Sequence, residues 1–274
     1  MSSILLAVAC LLSLTGCNHS AATPPDSAVS VQDTIVAAPV PLFAQALMEA
    51  YPDCIVGYED NSLLFADGSR MVYNDSVDRS WVEMLEDCDI EDMSLWLYAD
   101  SVRPFCDPGR IRCEALFKKM YGASSAEVRS RTRSVKWCPS IVGKQYPVTT
   151  VNHVADQLEK VSAELDRHPE WKAYLQCSGT FNWRIVAGSK HLSPHSFAIA
   201  IDIGVAKSNY WRWDNHGAAE TDSIRYRNAM LKEIVEIFER HGFIWGGYWY
   251  HYDTMHFEYR PELLRYRQLL AESK

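Results

Sequence analysis

"HSFAIAID", residues 195–202, opens on a histidine and closes on an aspartate, with only small and apolar side chains between them. Extended to Val205, the run alternates. Phe197, Ile199, Ile201, Ile203 and Val205 fall on one parity; Ala198, Ala200, Asp202 and Gly204 fall on the other. That is the period of a β-strand. One face is wholly large and apolar. The other carries two alanines, an aspartate and a glycine, and leaves open space beside Asp202. A buried carboxylate without a partner is costly, so Asp202 calls for a cation, and a metal ion is one. His195 sits in the Ser193-Pro194-His195 loop just before the strand, free to bend over the same face.

Further ligands must come from elsewhere. "YWYHYDTMHFEYR", residues 248–260, offers His251, Asp253, His256 and Glu258. Asp253 and His256 are three apart, so a turn between them lets both face one centre. A hydrolytic zinc site needs three protein ligands, an open position for water and a carboxylate beside that water. His195, Asp202 and His256 make up such a ligand set, with Asp253 as the base. Glu258 shares a strand face with His256; it suits orienting that histidine from behind and is the second candidate for base. His191 and His251 are read as neighbours of the site rather than ligands.

Together these stretches resemble a known family. "SPHSFAIAID" (193–202) is similar to the motif S-x-H-x-x-G-x-A-x-D, and "DTMHFE" (253–258) to D/E-x-x-H. Both mark the zinc D-alanyl-D-alanine peptidases of the VanY and VanX type, metallopeptidase family fifteen. The resemblance spans roughly Thr180 to Arg260. It implies an α+β fold of the hedgehog/DD-peptidase kind, a central antiparallel sheet with flanking helices. It also implies Zn2+ on His195, Asp202 and His256, with Asp253 as general base; aspartate is usual there in the endolysin-like branch. Arg184 in "GTFNWRIVAGS" (179–189) resembles the arginine that stabilises the substrate oxyanion, and Ser193 matches a motif serine near the substrate. Ala198 departs from the motif, which has glycine there.

The implied function is hydrolysis of peptidoglycan stem peptides, either as a D-Ala-D-Ala carboxypeptidase or as an L-Ala-D-Glu endopeptidase. The alternative is a non-catalytic, zinc-stabilised binding lipoprotein, which would not require a base together with Arg184.

The 274 residues, 47% of them hydrophobic, suffice for a sizeable core. The net charge of −8 argues against nucleic-acid binding. Residues 1–17 read as a lipoprotein signal peptide. An apolar run too short to span a bilayer ends in Leu14-Thr15-Gly16-Cys17, which resembles a lipobox, although no Lys or Arg precedes it. Lipid on Cys17 would tether the protein to a bacterial membrane. Asn18 after that cysteine points to the outer membrane, periplasmic side. Residues 18–41, rich in Ala, Ser, Pro and Thr, read as a flexible linker. Residues 42–140 read as an N-terminal region of unassigned role packed on the core, and 141–274 as the peptidase core.

Beyond Cys10 and Cys17, the six remaining cysteines permit disulfides outside the cytoplasm. Residues 55–75 read as two or three strands turning at Asn61-Ser62 and Asp67-Gly68. The stretch from Trp81 to Ser130 reads as mostly helical, including a short helix closed by Gly122. One helix is expected in residues 151–176, striped by Val151, Val154, Leu158, Val161 and Leu165, with His153 and His168 in it or at its end. Another is expected from a cap at Thr221 or Asp222 to Gly242. Of the aromatic cluster Tyr210, Trp211, Trp213, Trp245, Tyr248 and Trp249, two or three are expected to line a cleft.

Overall fold

Three antiparallel sheets follow one another along the chain. The first is the meander β1 (Ile55–Glu59), β2 (Ser62–Phe65) and β3 (Arg70–Val72). The second is the ribbon β4 (Thr132–Trp137) and β5 (Lys144–Thr149). The third comprises β6 (Cys177–Gly179), β7 (Ala200–Ile203), β8 (Phe243–Trp245) and β9 (His256–Tyr259), in the order β6-β7-β9-β8. The helices are α1 (Leu42–Ala50), α2 (Trp81–Met84), α3 (Glu114–Tyr121), α4 (Ser125–Ser130), α5 (Val154–Leu165), α6 (Trp211–Asp214), α7 (Lys232–Arg240) and α8 (Pro261–Glu272). The computed structural model describes residues 39–274. The stretches read as a signal peptide and, up to residue 38, as a linker, with Cys10 and Cys17, lie outside the described residues. The α+β mixture agrees with the expected fold class. Among the described residues no helix is long and apolar enough to cross a membrane.

The third sheet joins the two stretches that carry the chemistry. β7 and β9 pair so that Asp202 lies opposite His256, Ile201 opposite Phe257, and Ala200 opposite Glu258. Side chains alternate across a strand, so Asp202, His256 and Glu258 share one face. Ile201 and Phe257 share the other, which is the core face. There the Phe238 ring of α7 stacks on Phe257 at 3.9 Å, and Trp137 of β4 packs beyond it. Ile199, Ile201 and Ile203 are all buried, each contributing about 1.5–3 kcal/mol of hydrophobic stabilisation.

The strand is shorter than its alternation predicts. Pro194–Phe197 form a 3-10 turn with proline at its start, and Ala198 is left-handed at φ 55°. Phe197 is buried against Phe117 and Tyr121 of α3 rather than on the sheet face.

Other expectations are also modified. α5 keeps the predicted stripe of Val154, Leu158, Val161 and Leu165, but Asn152 and His153 are left-handed and delay its start to Val154. α7 begins at Lys232, not at Thr221 or Asp222. The ten residues before it are held by tertiary bonds instead: Ile224 N–H donates to Tyr250 Oη at 2.9 Å, and Tyr226 Oη donates to the Gly247 carbonyl at 2.8 Å. Gly242, at φ 85°, lies just past the end of α7 as expected. The meander has three strands, and Gly122 closes α3. Between Leu95 and Cys113, however, the chain is irregular rather than helical. All six cysteines of the described region (Cys54, Cys88, Cys106, Cys113, Cys138, Cys177) are free thiols, with no disulfide among them.

The first half of this unit packs intimately on the second. α1 lies on α8, with Phe43 against Tyr266 and an Arg265–Glu49 ion pair. The Tyr98 hydroxyl donates to Glu239 and accepts from Trp245 N–H. The irregular stretch is pinned by Trp249 Nε1, which donates to the Pro108 carbonyl at 2.7 Å, and by Tyr250 N–H, which donates to the Cys106 carbonyl at 3.0 Å.

Candidate metal centre

His195, Asp202 and His256 converge, each offering a ligand atom within 4.8 Å of the others. The imidazoles are held from behind. His195 Nδ1–H donates to the Thr180 carbonyl at 2.8 Å, which leaves Nε2 as the bare nitrogen. That Nε2 lies 3.1 Å from Asp202 Oδ1, yet it is buried and makes no hydrogen bond of acceptable geometry. His256 Nε2 faces Glu258 Oε2 at 3.1 Å, which turns its Nδ1 toward Asp202 Oδ1 at 3.0 Å. Thus two imidazoles, each anchored on an acceptor, direct their other nitrogen at one carboxylate oxygen. An outer acceptor of this kind fixes the tautomer a metal needs. Two nitrogens and one carboxylate oxygen, with one nitrogen orphaned in a buried site, fit a zinc ion.

Electrostatics match the geometry. Burial raises the Asp202 carboxyl, but His195 and His256 outweigh it and hold Asp202 well below the usual carboxylate range. Burial lowers the His256 imidazolium, but Asp202 and Glu258 overcome this and raise its pKa to about 10. Burial also raises Glu258, yet Arg112, His256 and Arg260 bring it down to about 2. Both Glu258 oxygens are engaged: Oε1 accepts from Arg260 Nη1 at 2.9 Å, and Oε2 accepts from His256 and from Arg112 Nη1 at 3.4 Å.

Asp253 differs. It lines the same cleft, its Oδ1 is buried without a partner among the described residues, and burial, aided by Asp202, raises its pKa to about 7. A free carboxylate oxygen titrating near neutrality suits proton transfer; the saturated Glu258 does not. Its backbone is clamped. Asp253 N–H donates to the Gly246 carbonyl, and a Cβ on Gly246 would come within 2.7 Å of the Asp253 carbonyl oxygen, so only glycine allows this approach.

Arg184 is exposed and lines the cleft. Its backbone N–H donates to Ser196 Oγ at 3.0 Å, tying its loop to the turn that carries His195. Ser193 caps that turn, its Oγ accepting from His195 N–H at 3.4 Å, and it also lines the cleft. The cleft has a volume of about 390 Å³. Four of the six clustered aromatics line it: Tyr210, Trp211, Trp213 and Trp249. Trp245 and Tyr248 stay in the core. His191 and His251 also line it.

Sequence reasoning missed several contributors. Thr180 acts through its backbone carbonyl, which no residue type announces. Ser196 is hidden inside an apolar run. Arg112 and Arg260, which fix Glu258, sit 146 residues before it and two after it.

Comparison with known proteins agrees in part. Residues 187–259 match the family model described as D-alanyl-D-alanine carboxypeptidase, of the M15 peptidases. No curated protein and no solved structure matches the chain. The matched segment contains all three candidate metal ligands and Asp253, and it supports a peptidase of the M15 metallopeptidase family.

Proposed function

We propose that the protein is a zinc-dependent metallopeptidase acting on peptidoglycan stem peptides at the bacterial envelope, tethered by lipid on Cys17, with the outer membrane as the site its sequence favours. The observation that carries the reading is the pair of anchored imidazoles whose inward nitrogens meet Asp202, beside the buried Oδ1 of Asp253 that has no partner among the described residues.

His195, Asp202 and His256 would hold the zinc. The chemistry a bound zinc supplies is a lowered water pKa and a polarised amide carbonyl. Asp253 takes the proton of the attacking water on its free oxygen and delivers it to the leaving amine nitrogen. Arg184 carries the charge that develops on the carbonyl oxygen. Glu258 keeps the His256 ring in place.

The test is digestion of purified muropeptides by the zinc-loaded protein, with a chelated control, read by mass spectrometry. Loss of a terminal alanine that stops on chelation identifies a carboxypeptidase. A cut between L-Ala and D-Glu identifies an endopeptidase. Zinc bound without any product refutes action on peptidoglycan stem peptides and leaves the non-catalytic binding lipoprotein or a substrate outside the cell wall.

A further inference from the structure

Three buried polar atoms on residues of the cleft wall lack a partner among the described residues: His195 Nε2, Asp253 Oδ1 and His251 Nε2. The zinc and water of the proposed function would account for the first two. The third belongs to a separate constellation. His251 is 1% exposed and doubly bound to Asp107: its backbone N–H donates to Oδ1 at 2.8 Å, and its Nδ1–H donates to Oδ2 at 2.6 Å. Trp211 meets the ring edge-on at 4.6 Å, and Trp81 stacks over it at 6.3 Å.

Asp107, Glu220 and His251 have the spacing of a metal site. Arg110 already occupies it, however. Its Nη1 donates to Asp107 and to Glu220, both at 2.8 Å, and its Nη2 donates to Glu220 at 2.9 Å. A guanidinium satisfying both carboxylates leaves a dication no role there. With Nδ1–H donating to Asp107, the tautomer that fits leaves Nε2 as an acceptor, and no described residue partners it. The aromatic neighbours and the paired carboxylate hold it rigidly, as a preformed binding group requires. A buried acceptor left unmade is costly, and His251 is among the residues that line the cleft.

We infer that His251, oriented by Asp107, is a second anchoring point for the peptide, accepting through Nε2 a hydrogen bond from a substrate nitrogen. This rests on the peptidase reading for the identity of the ligand, not for the existence of the site. The donor is either a main-chain amide N–H or a side-chain amine of the stem peptide.

The experiment has two readouts. In the zinc-loaded Asp253→Asn protein, which holds peptide uncleaved, the His251 Nε2 nitrogen resonance is followed as L-Ala-γ-D-Glu-L-Lys-D-Ala-D-Ala is added, and again with the lysine amine acetylated. A shift with both peptides identifies an amide donor; a shift lost on acetylation identifies the amine. No shift with either overturns the inference. In the otherwise wild-type enzyme, His251→Phe should raise KM about 3- to 10-fold, the range expected for one hydrogen bond, with kcat and zinc content held. His251→Gln, whose amide can both donate to Asp107 and accept from substrate, should recover part of that loss. An unchanged KM in His251→Phe overturns the inference. Should that variant fail to fold, or the wild-type protein cleave no peptidoglycan peptide, the resonance measurement still decides, and only the latter outcome bears on the peptidase reading.

Discussion

Glu258→Gln separates the support of the metal centre from the centre itself. Glu258 is fully buried and accepts from His256, Arg112 and Arg260. Glutamine keeps one acceptor oxygen and replaces the other with an NH2 group. If the oxygen stays on Arg260, the closest of the three at 2.9 Å, the NH2 faces two donors. His256 can relieve that clash only by moving its proton to Nδ1, the nitrogen that a zinc ion needs. Loss of such an outer partner weakens metal binding by about 10- to 100-fold. The substitution also leaves Arg112 without a carboxylate, and breaking one side of a buried ion pair costs about 3–5 kcal/mol. With some hydrogen bonds retained we take the lower end, about 3 kcal/mol, which lowers Tm by roughly 6–12 °C in a domain of this size. Zinc affinity is measured by competition with a chromophoric chelator, and stability by melting the chelated protein. Affinity within twofold of wild type, together with an unmoved Tm, would refute the assignment of Glu258 as the group that orients His256.

Asp253→Ala should retain zinc and lose about 10²- to 10⁴-fold in kcat, the usual share of a proton-transfer group; unchanged turnover would return the base role to Glu258. Arg184→Ala, at an exposed side chain, should leave Tm unmoved while kcat falls about 10²- to 10³-fold, and a change in KM alone would contradict its role on the oxyanion. Asp107 supplies a pH signature away from the metal. Burial pushes its carboxyl up, but Arg110 and His251 outweigh this and hold it below its ordinary value. Its folded pKa is depressed, so its stabilisation is complete above the unfolded value of about 3.9 and is lost as the pH falls below that. Acid titrations of stability should therefore be shallower below pH ~4 in Asp107→Asn than in wild type, and an equal slope would count against the Asp107–Arg110 pair.

The alternation around Asp202 made one face of β7 legible, because a strand's period is two and a lone carboxylate among small residues stands out. Its partner was legible only as a motif. That Asp202 sits opposite His256 is a matter of register between strands 54 residues apart, which no local pattern encodes. The extent of β7 was overread because Phe197 keeps the right parity while pointing into the packing of α3. The left-handed backbone at Ala198 also explains why glycine stands in the family motif there: the turn needs a positive φ, which glycine adopts without strain. The helix expected from residue 221 failed for a different reason. Side-chain hydroxyls and amides of Tyr250 and Asn215 take its backbone N–H groups, outcompeting a weak helical pattern.

The match over residues 187–259 and the cleft do not coincide, and the difference divides the chemistry from its setting. Inside the match lie His195, Asp202, Asp253 and His256, the groups that would hold the metal and move the proton. Outside it lie Thr180, which fixes the tautomer of His195, and Arg184, which faces the cleft. Outside it too lie Asp107, Arg110 and Arg112, three members of one irregular loop that orient His251, neutralise Glu220 and pin Glu258. The reaction class therefore rests on the matched segment, which also supplies most of the cleft wall, whereas Val82, Leu85, Glu86, Arg110 and Arg112 bring one side of that wall from the first half of the chain. A helix or strand would place such side chains at fixed intervals. This loop instead places Asp107 and Arg112 on different partners, because its turn passes through Gly109, whose positive φ and absent Cβ let the backbone lie against Ile244 and accept from both Arg112 and Arg260. Substitution at Gly109, whose carbonyl holds Arg112 and Arg260 and whose added Cβ would lie 3.5 Å from Glu258 Oε1, would thus disturb the metal support and the His251 subsite together.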